Sequence, residues 1–115
     1  MTLKIYNITT KLILKEKIEI SDTYFKRLKG LMFKKDFNNG MLFKNLNLGS
    51  SIHSCFMLFT IEVYFVDENN KIYEKTILKP WKSYKPQKKA KYIIEYKKSS
   101  KERFKIGDQI KLINR

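Results

Sequence analysis

Along most of this chain apolar and polar residues alternate with the period of a β-strand, and the pattern breaks at its centre. From Ile52 to Asp67 the chain reads IHSCFMLFTIEVYFVD, with Phe56, Met57, Leu58, Phe59, Ile61, Val63, Phe65 and Val66 falling on both parities of a strand. A strand that is apolar on both faces has to be covered on both sides. The run is too short for a membrane span, which takes ~20 apolar residues, and it contains His53 and Glu62. Aromatic and β-branched residues dominate it and no helical stripe appears, so a buried central strand or strand pair is predicted, kinked near Thr60.

The flanks supply what surrounds that strand. Leu3 to Tyr6 reads as a first strand, and Lys11 to Ile20 as a second with Leu12, Leu14, Ile18 and Ile20 on one face, interrupted by Glu16. A turn over Asn7 to Thr10 joins the two as a lysine-dotted edge hairpin, protected against pairing with other chains. At Ser21 the period changes. Ser21 and Asp22 suit an N-cap, and Tyr24, Phe25 and Leu28, then Leu31 or Met32, recur at helical spacing around a possible stop at Gly30. Asn38-Asn39-Gly40 turns the chain into a strand at Met41-Leu42-Phe43, and a loop over Asn45 to Ser51 leads to the centre. Glu62 to Val66 and Lys71 to Ile77 alternate around the turn residues Asp67-Glu68-Asn69-Asn70, the clearest hairpin in the chain. Lys79 to Ala90 has no period and holds both prolines and the lone tryptophan, so an extended surface loop is predicted. A strand over Tyr92 to Tyr96, a basic turn over Lys97 to Lys101, a turn at Gly107-Asp108 and a closing strand from Gln109 to Ile113 complete the chain.

The fold expected from these elements is mainly β, within the β-rich α+β class. It is a single domain over residues 1–115, a small, partly closed antiparallel β-barrel of roughly seven strands with one short helix near residues 22–30. With 115 residues the chain can bury one real core without disulfides or a metal. Charge adds the next constraint. Twenty-five Lys+Arg against 11 Asp+Glu give +14, of which the 14 basic and 4 acidic residues from Glu74 onward contribute +10. A field of that sign favours anionic partners, nucleic acid or an anionic surface, without selecting one. Background composition explains it equally well, because nearly all the basic residues are Lys in a chain also rich in Ile and Asn. Cys55 stands alone, which excludes an internal disulfide and a CxxC motif. The first residues lack the pattern of a secretory leader and no segment reads as transmembrane, so a cytoplasmic monomer is expected.

Several segments in order carry a resemblance: Arg27-Leu-Lys-Gly-Leu-Met32, Gly40-Met-Leu-Phe43, the Ile52 to Asp67 run, Leu78-Lys-Pro-Trp81, Tyr92-Ile-Ile-Glu95 and Ile106-Gly-Asp108. Their order and spacing resemble the domain of unknown function (DUF) family 192, over about residues 8 to 114. The resemblance implies a compact β-rich domain with one helix and no established activity; related bacterial proteins are often exported or lipid-anchored. The chain departs from the family pattern at Thr60, where Pro is common, at Glu62, where Asp is usual, at Cys55, and in a loop after Ser99 that lacks glycine.

Candidate chemistry is sparse. His53, Cys55 and Met57 alternate and would share one strand face, a set suited in principle to a soft metal, but a structural zinc site needs four ligands and the chain has no second Cys or His. Cys55 and Met57 as core fillers, with His53 capping the strand end, is the plainer account. A Cys55–His53 nucleophile would further need an oxyanion hole and an orienting group, which nothing marks. Glu62 and Asp67 fall on opposite parities and cannot work as a carboxylate pair. No catalytic residue, metal or cofactor is therefore assigned.

Arg27 is the first arginine in a chain that otherwise uses Lys, and its planar fork suits a carboxylate; pairing with Glu62 or Asp67 would pin the helix to the sheet, and a ligand anion is the other option. Trp81 is the lid of such a pocket or the anchor of its loop. Lys82, Lys85, Lys88, Lys89, Lys97, Lys98, Lys101 and Arg103 interleave with tyrosines as phosphate contacts and stacking partners do, although no nucleic-acid-binding signature is present. The favoured function is a non-enzymatic binding or interaction module with a small polar pocket near Arg27, His53, Glu62 and Trp81. Nucleic-acid binding through the Lys/Tyr-rich second half is the alternative, and an enzyme comes third.

Overall fold

Strand β6 (Ile61–Val66) is buried at every residue, as two-sided covering of the central apolar run requires. The computed structural model describes residues 3–21, 38–44, 52–54 and 58–114, apart from the side chains of Ser21, Lys44 and His53. Among them run ten strands: β1 (Leu3–Asn7), β2 (Leu12–Ile13), β3 (Ile18–Ser21), β4 (Gly40–Lys44), β5 (Ile52–His53), β6, β7 (Ile72–Leu78), β8 (Ser83–Tyr84), β9 (Tyr92–Lys97) and β10 (Ile110–Asn114). They form a five-stranded sheet in the order β3-β4-β9-β6-β7, a three-stranded sheet β10-β1-β2 and a two-stranded ribbon β5-β8.

Alternation along the central sheet sorts its side chains into two cores. Phe43, Ile61, Val63, Phe65, Leu78 and Ile93 point to one face, against which Ile52, Phe59 and Ala90 pack. Leu42, Tyr64, Val66, Ile94 and Tyr96 point to the other, where Ile5 and Ile110 bring in the three-stranded sheet and Phe104 the β9–β10 connection. The barrel expected from the sequence does not form among the described residues. Both faces are covered by other elements, so β3 and β7 remain as edges of an open sheet. Of the expected central run, Phe59 is buried whereas Leu58 is exposed; residues 55–57 lie outside the described set, as do the loop over 45–51 and the short helix expected near residues 22–30.

Local chemistry explains most boundaries. Asn7 Oδ1 accepts the Thr9 and Thr10 amides (3.0 and 3.2 Å), closing the first turn, while its Nδ2 donates to the buried Asp108 (2.8 Å). The β6–β7 hairpin turns where Asp67 accepts the Asn69 and Lys71 amides (2.8 and 3.0 Å), and a bulge at Phe65/Val66 shifts its register. The second strand expected over Lys11 to Ile20 is two short ones. Leu12 and Ile13 are exposed, and the chain turns away from regular pairing around Glu16. β3 and β4 pair in parallel, against the all-antiparallel expectation. A parallel pair needs a crossover connection of roughly a dozen residues or more, and the 18 residues from 22 to 39 give that length.

Candidate functional site

Where the central sheet ends beside the β9–β10 connection, one arginine gathers groups from four parts of the chain. Phe104 is buried in the second core and fixes the backbone next to Arg103. The guanidinium contacts Glu16 Oε2 through Nη2 (3.1 Å) and Nε (3.3 Å) and Glu62 Oε1 through Nη1 (3.0 Å). Nη1 also reaches the Lys97 carbonyl (3.2 Å), and the plane stacks 4.4 Å from the centre of the Tyr96 ring. Such use of a planar, multiply donating cation is beyond lysine.

Glu62 is saturated with donors. Its Oε1 accepts the Tyr64 hydroxyl (2.7 Å) and its Oε2 the Ser99 amide (2.7 Å) and Oγ (3.3 Å). The Tyr64 oxygen in turn accepts the Arg103 amide (3.0 Å), closing the circuit. Burial, then the hydrogen bond to Glu62, drives the Tyr64 phenol far above its ordinary range. Burial opposes the Arg103 charge, but the hydrogen bond and charge of Glu16, joined by Glu62, outweigh it and raise Arg103 further. Tyr96 is also pushed far up, chiefly by burial, and its hydroxyl is buried without a hydrogen-bond partner.

This hub separates two concavities. A groove of about 380 Å³ is floored by Glu62 and Tyr64 and walled by Thr76, Ile77, Lys98, Ser99, Ser100 and the Lys75–Glu102 ion pair. On the other side of Ser99 and Arg103 an open cleft of about 680 Å³ is lined by Lys15, Glu16, Lys17, Asn38, Asn39, Lys97 and Lys98.

The second notable region is the segment from Lys79 to Lys91. Its first twelve residues, Lys79 to Ala90, are predicted as an extended loop and form one, save for β8, but the segment is strongly anchored. Ser54, fully buried, donates its amide to the Lys82 carbonyl (2.8 Å) and its hydroxyl to the Lys79 carbonyl (2.5 Å), and accepts the Lys82 amide (3.0 Å) on Oγ and the Trp81 amide (3.0 Å) on its carbonyl. Glu74, buried on the first-core side, accepts the Tyr84 hydroxyl and the Gln87 amide (2.9 Å). Tyr73 donates to the Lys88 carbonyl (2.8 Å), while the Lys88 ammonium sits 4.7 Å over its ring.

The sequence-predicted residues are distributed between these places. Arg27, Cys55 and Met57 lie outside the described residues, so the Arg27 pairing and the His-x-Cys-x-Met set lie there too. Glu62 has Arg103 as its ion-pair partner, and Asp67 serves the hairpin turn. His53 pairs through its backbone with Ser83 in the β5–β8 ribbon, whereas the Glu62 carboxylate joins Tyr64 and Arg103 toward the second core. Of the four residues expected around one pocket, Arg27 and the His53 side chain lie outside the described set, and Glu62 and Trp81 belong to different regions. Lys82, Lys85, Lys88 and Lys89 are exposed on the anchored loop, and Lys97, Lys98 and Lys101 belong to the hub end, where Arg103 is committed to carboxylates. Sequence reasoning missed Glu16 and Ser54. The interruption of an apolar face at Glu16 was a usable signal; Ser54 offered none. Among the described residues no cluster of His, Cys, Asp and Glu could hold a metal, and no helix is long and apolar enough to cross a membrane.

Fold and site together define a small β-rich domain built on a twice-covered sheet with an arginine-held polar hub at one end. The chain belongs to the DUF192 family, whose model, described as uncharacterized ACR, matches residues 6–112. A UPF0127 protein of Pyrococcus horikoshii is 41% identical over 99 residues, which is 82% of this chain and 85% of that protein. A UPF0127 protein of Thermococcus sibiricus is 39% identical over 82 residues, 69% of this chain and 53% of that relative, so the match spans about half of the relative's length. The crystal structure of a protein of unknown function from Novosphingobium aromaticivorans superposes with a TM-score of 0.75 over 96% of this chain and 84% of that one at 14% identity, a likeness of fold alone.

Proposed function

We propose that this domain is a non-enzymatic binding module and that a small polar ligand occupies the groove floored by Glu62 and Tyr64. The observation that carries this reading is a recess of about 380 Å³, within the size range of ligand sites, lying on a floor whose polar groups are already locked to one another. A locked floor does not reorganise on binding, which lowers the cost of association. It is also a poor general base, because donors fill both Glu62 oxygens. Recognition then falls to the walls, where Thr76, Ser100 and Lys98 offer polar contacts and the half-exposed Ile77 an apolar one. Amide chemical-shift mapping against a library of small polar metabolites tests the groove. Shifts confined to residues 75–77 and 98–102, and abolished in Thr76→Trp, are expected; a library that moves none of these amides defeats the reading.

A second reading, nucleic-acid binding, is favoured by a separate observation. The thirteen-residue segment from Lys79 to Lys91 carries six lysines, all exposed, and no acidic residue. Binding to oligonucleotides should weaken steeply with salt, because each phosphate neutralised releases counterions. Affinity that is flat against salt eliminates it.

A further inference from the structure

The same loop contains a conformation that its sequence does not ask for. Trp81 has φ +64°, in the left-handed region that bulky side chains avoid. Strained backbone of this kind persists only where the surroundings over-determine it, and it gathers at binding sites. Here the surroundings are the hydrogen bonds of buried Ser54, which fix residues 79, 81 and 82 at once. The outcome is that the chain's one tryptophan is 59% exposed, where most tryptophans are largely buried. Lys79, Lys82 and Lys85 are exposed beside it in sequence, and Glu74, an acid that contacts the loop, is buried and bonded to Tyr84 and Gln87.

We propose that Trp81 is a stacking platform for a base of single-stranded nucleic acid, with the loop lysines contacting the phosphates on either side. The inference rests on the second reading above and assigns it a centre. An exposed indole on an anchored backbone, with exposed lysines close to it in sequence, matches the two parts of a single strand, unstacked bases and a charged backbone. A duplex presents phosphates but no free base face. A bilayer surface fits less well, because Trp81 is the one large apolar side chain exposed in the loop, with Pro86 and Ala90 buried and Tyr84 half-buried, and interfacial anchoring needs an apolar face.

Because the chain has a single tryptophan, its emission reports on this site directly. The full chain is titrated with a homopyrimidine oligonucleotide, its duplex form and vesicles containing phosphatidylglycerol, at several salt concentrations. Expected are quenching by the single strand that fades steeply with salt, weaker binding of the duplex, and a loss of about tenfold or more in affinity for Trp81→Ala, measured by anisotropy of a labelled oligonucleotide. Trp81→Tyr retains most of the affinity. Trp81→Gly, in which the left-handed backbone is unstrained, serves as a second folded variant without the ring and should bind as weakly as Trp81→Ala. If the single strand binds with the expected salt slope but Trp81→Ala and Trp81→Gly bind as tightly as the native chain, the stacking platform is overturned and the lysine reading stands. Absence of oligonucleotide binding overturns both, and quenching by vesicles alone overturns them in favour of a membrane surface.

Discussion

Tyr96 and Gly40 show what single residues decide here. A Cβ on Gly40 would lie 2.5 Å from the Tyr96 ring and 2.6 Å from Ile18 Cδ1, both in a packed core. Gly40→Ala should therefore lower stability by about 1–3 kcal/mol, read by denaturant unfolding. The Tyr96 hydroxyl is buried without a partner, so Tyr96→Phe removes an unsatisfied group and should leave stability unchanged or raise it by about 1 kcal/mol in the same assay. Arg103→Met leaves Glu16 and Glu62 facing each other without their cation and should cost about 3 kcal/mol. The tyrosines add a pH dependence. Tyr64 and Tyr96 are raised by burial, and Tyr73 is pushed up to about 12 by burial and then by the Glu74 charge. The folded chain thus keeps phenolic protons that the unfolded chain releases from about pH 10. Stability from these groups is complete below that pH and falls as pH climbs toward the folded values. Thermal unfolding followed between pH 8 and pH 11 should show a flat region and then a decline, with tyrosinate absorbance rising in step with unfolding. Little of this was legible beforehand. Gly40 reads as a turn glycine, and Arg103 as one cation in a basic tract, because the partners that give them their roles lie far off in sequence; Glu16 is 87 residues from Arg103.

At the scale of elements, alternation located the β6–β7 hairpin, β4, β9 and β10 closely, since each presents one or two apolar faces to a core. It failed over Lys11 to Ile20, where an apolar face interrupted only at Glu16 predicted one strand. Glu16 has to reach Arg103, and the strand breaks to let it do so. The loop from Lys79 to Ala90 was placed correctly but its anchoring was invisible, because side-chain bonds from Ser54, Glu74 and Tyr73 leave no period. Ser54→Ala deletes one donor and one acceptor from a buried clamp. A loss of about 1–2 kcal/mol is expected, with faster hydrogen exchange at the Lys82 amide than at the amides of β6. Equal exchange in variant and native chains would mean that other contacts hold the loop.

For the whole molecule, the two-sided covering of the apolar run was legible and barrel closure was not. Burial on both faces is a demand that alternation states, whereas the identity of the cover depends on long-range pairing such as Lys71 with Gln109 and β1 with β10. Net charge acts at this scale too. With +14 on 115 residues, self-repulsion opposes the compact state. Raising salt from about 0.02 M to about 0.5 M should raise the melting temperature while weakening any oligonucleotide complex, two opposite trends from one field. A melting temperature that falls with salt would indicate that ion pairs such as Arg103 with Glu16 outweigh the repulsion.

Strand β6 divides the interior in two, and consecutive residues along it answer to different halves. A swap of one letter disturbs one compartment. Gaining or losing one letter would exchange the tenants of both, sending Glu62 toward the phenylalanines and Val63 toward Arg103. Across the lineage, the length of these six residues should accordingly be guarded more strictly than their spelling.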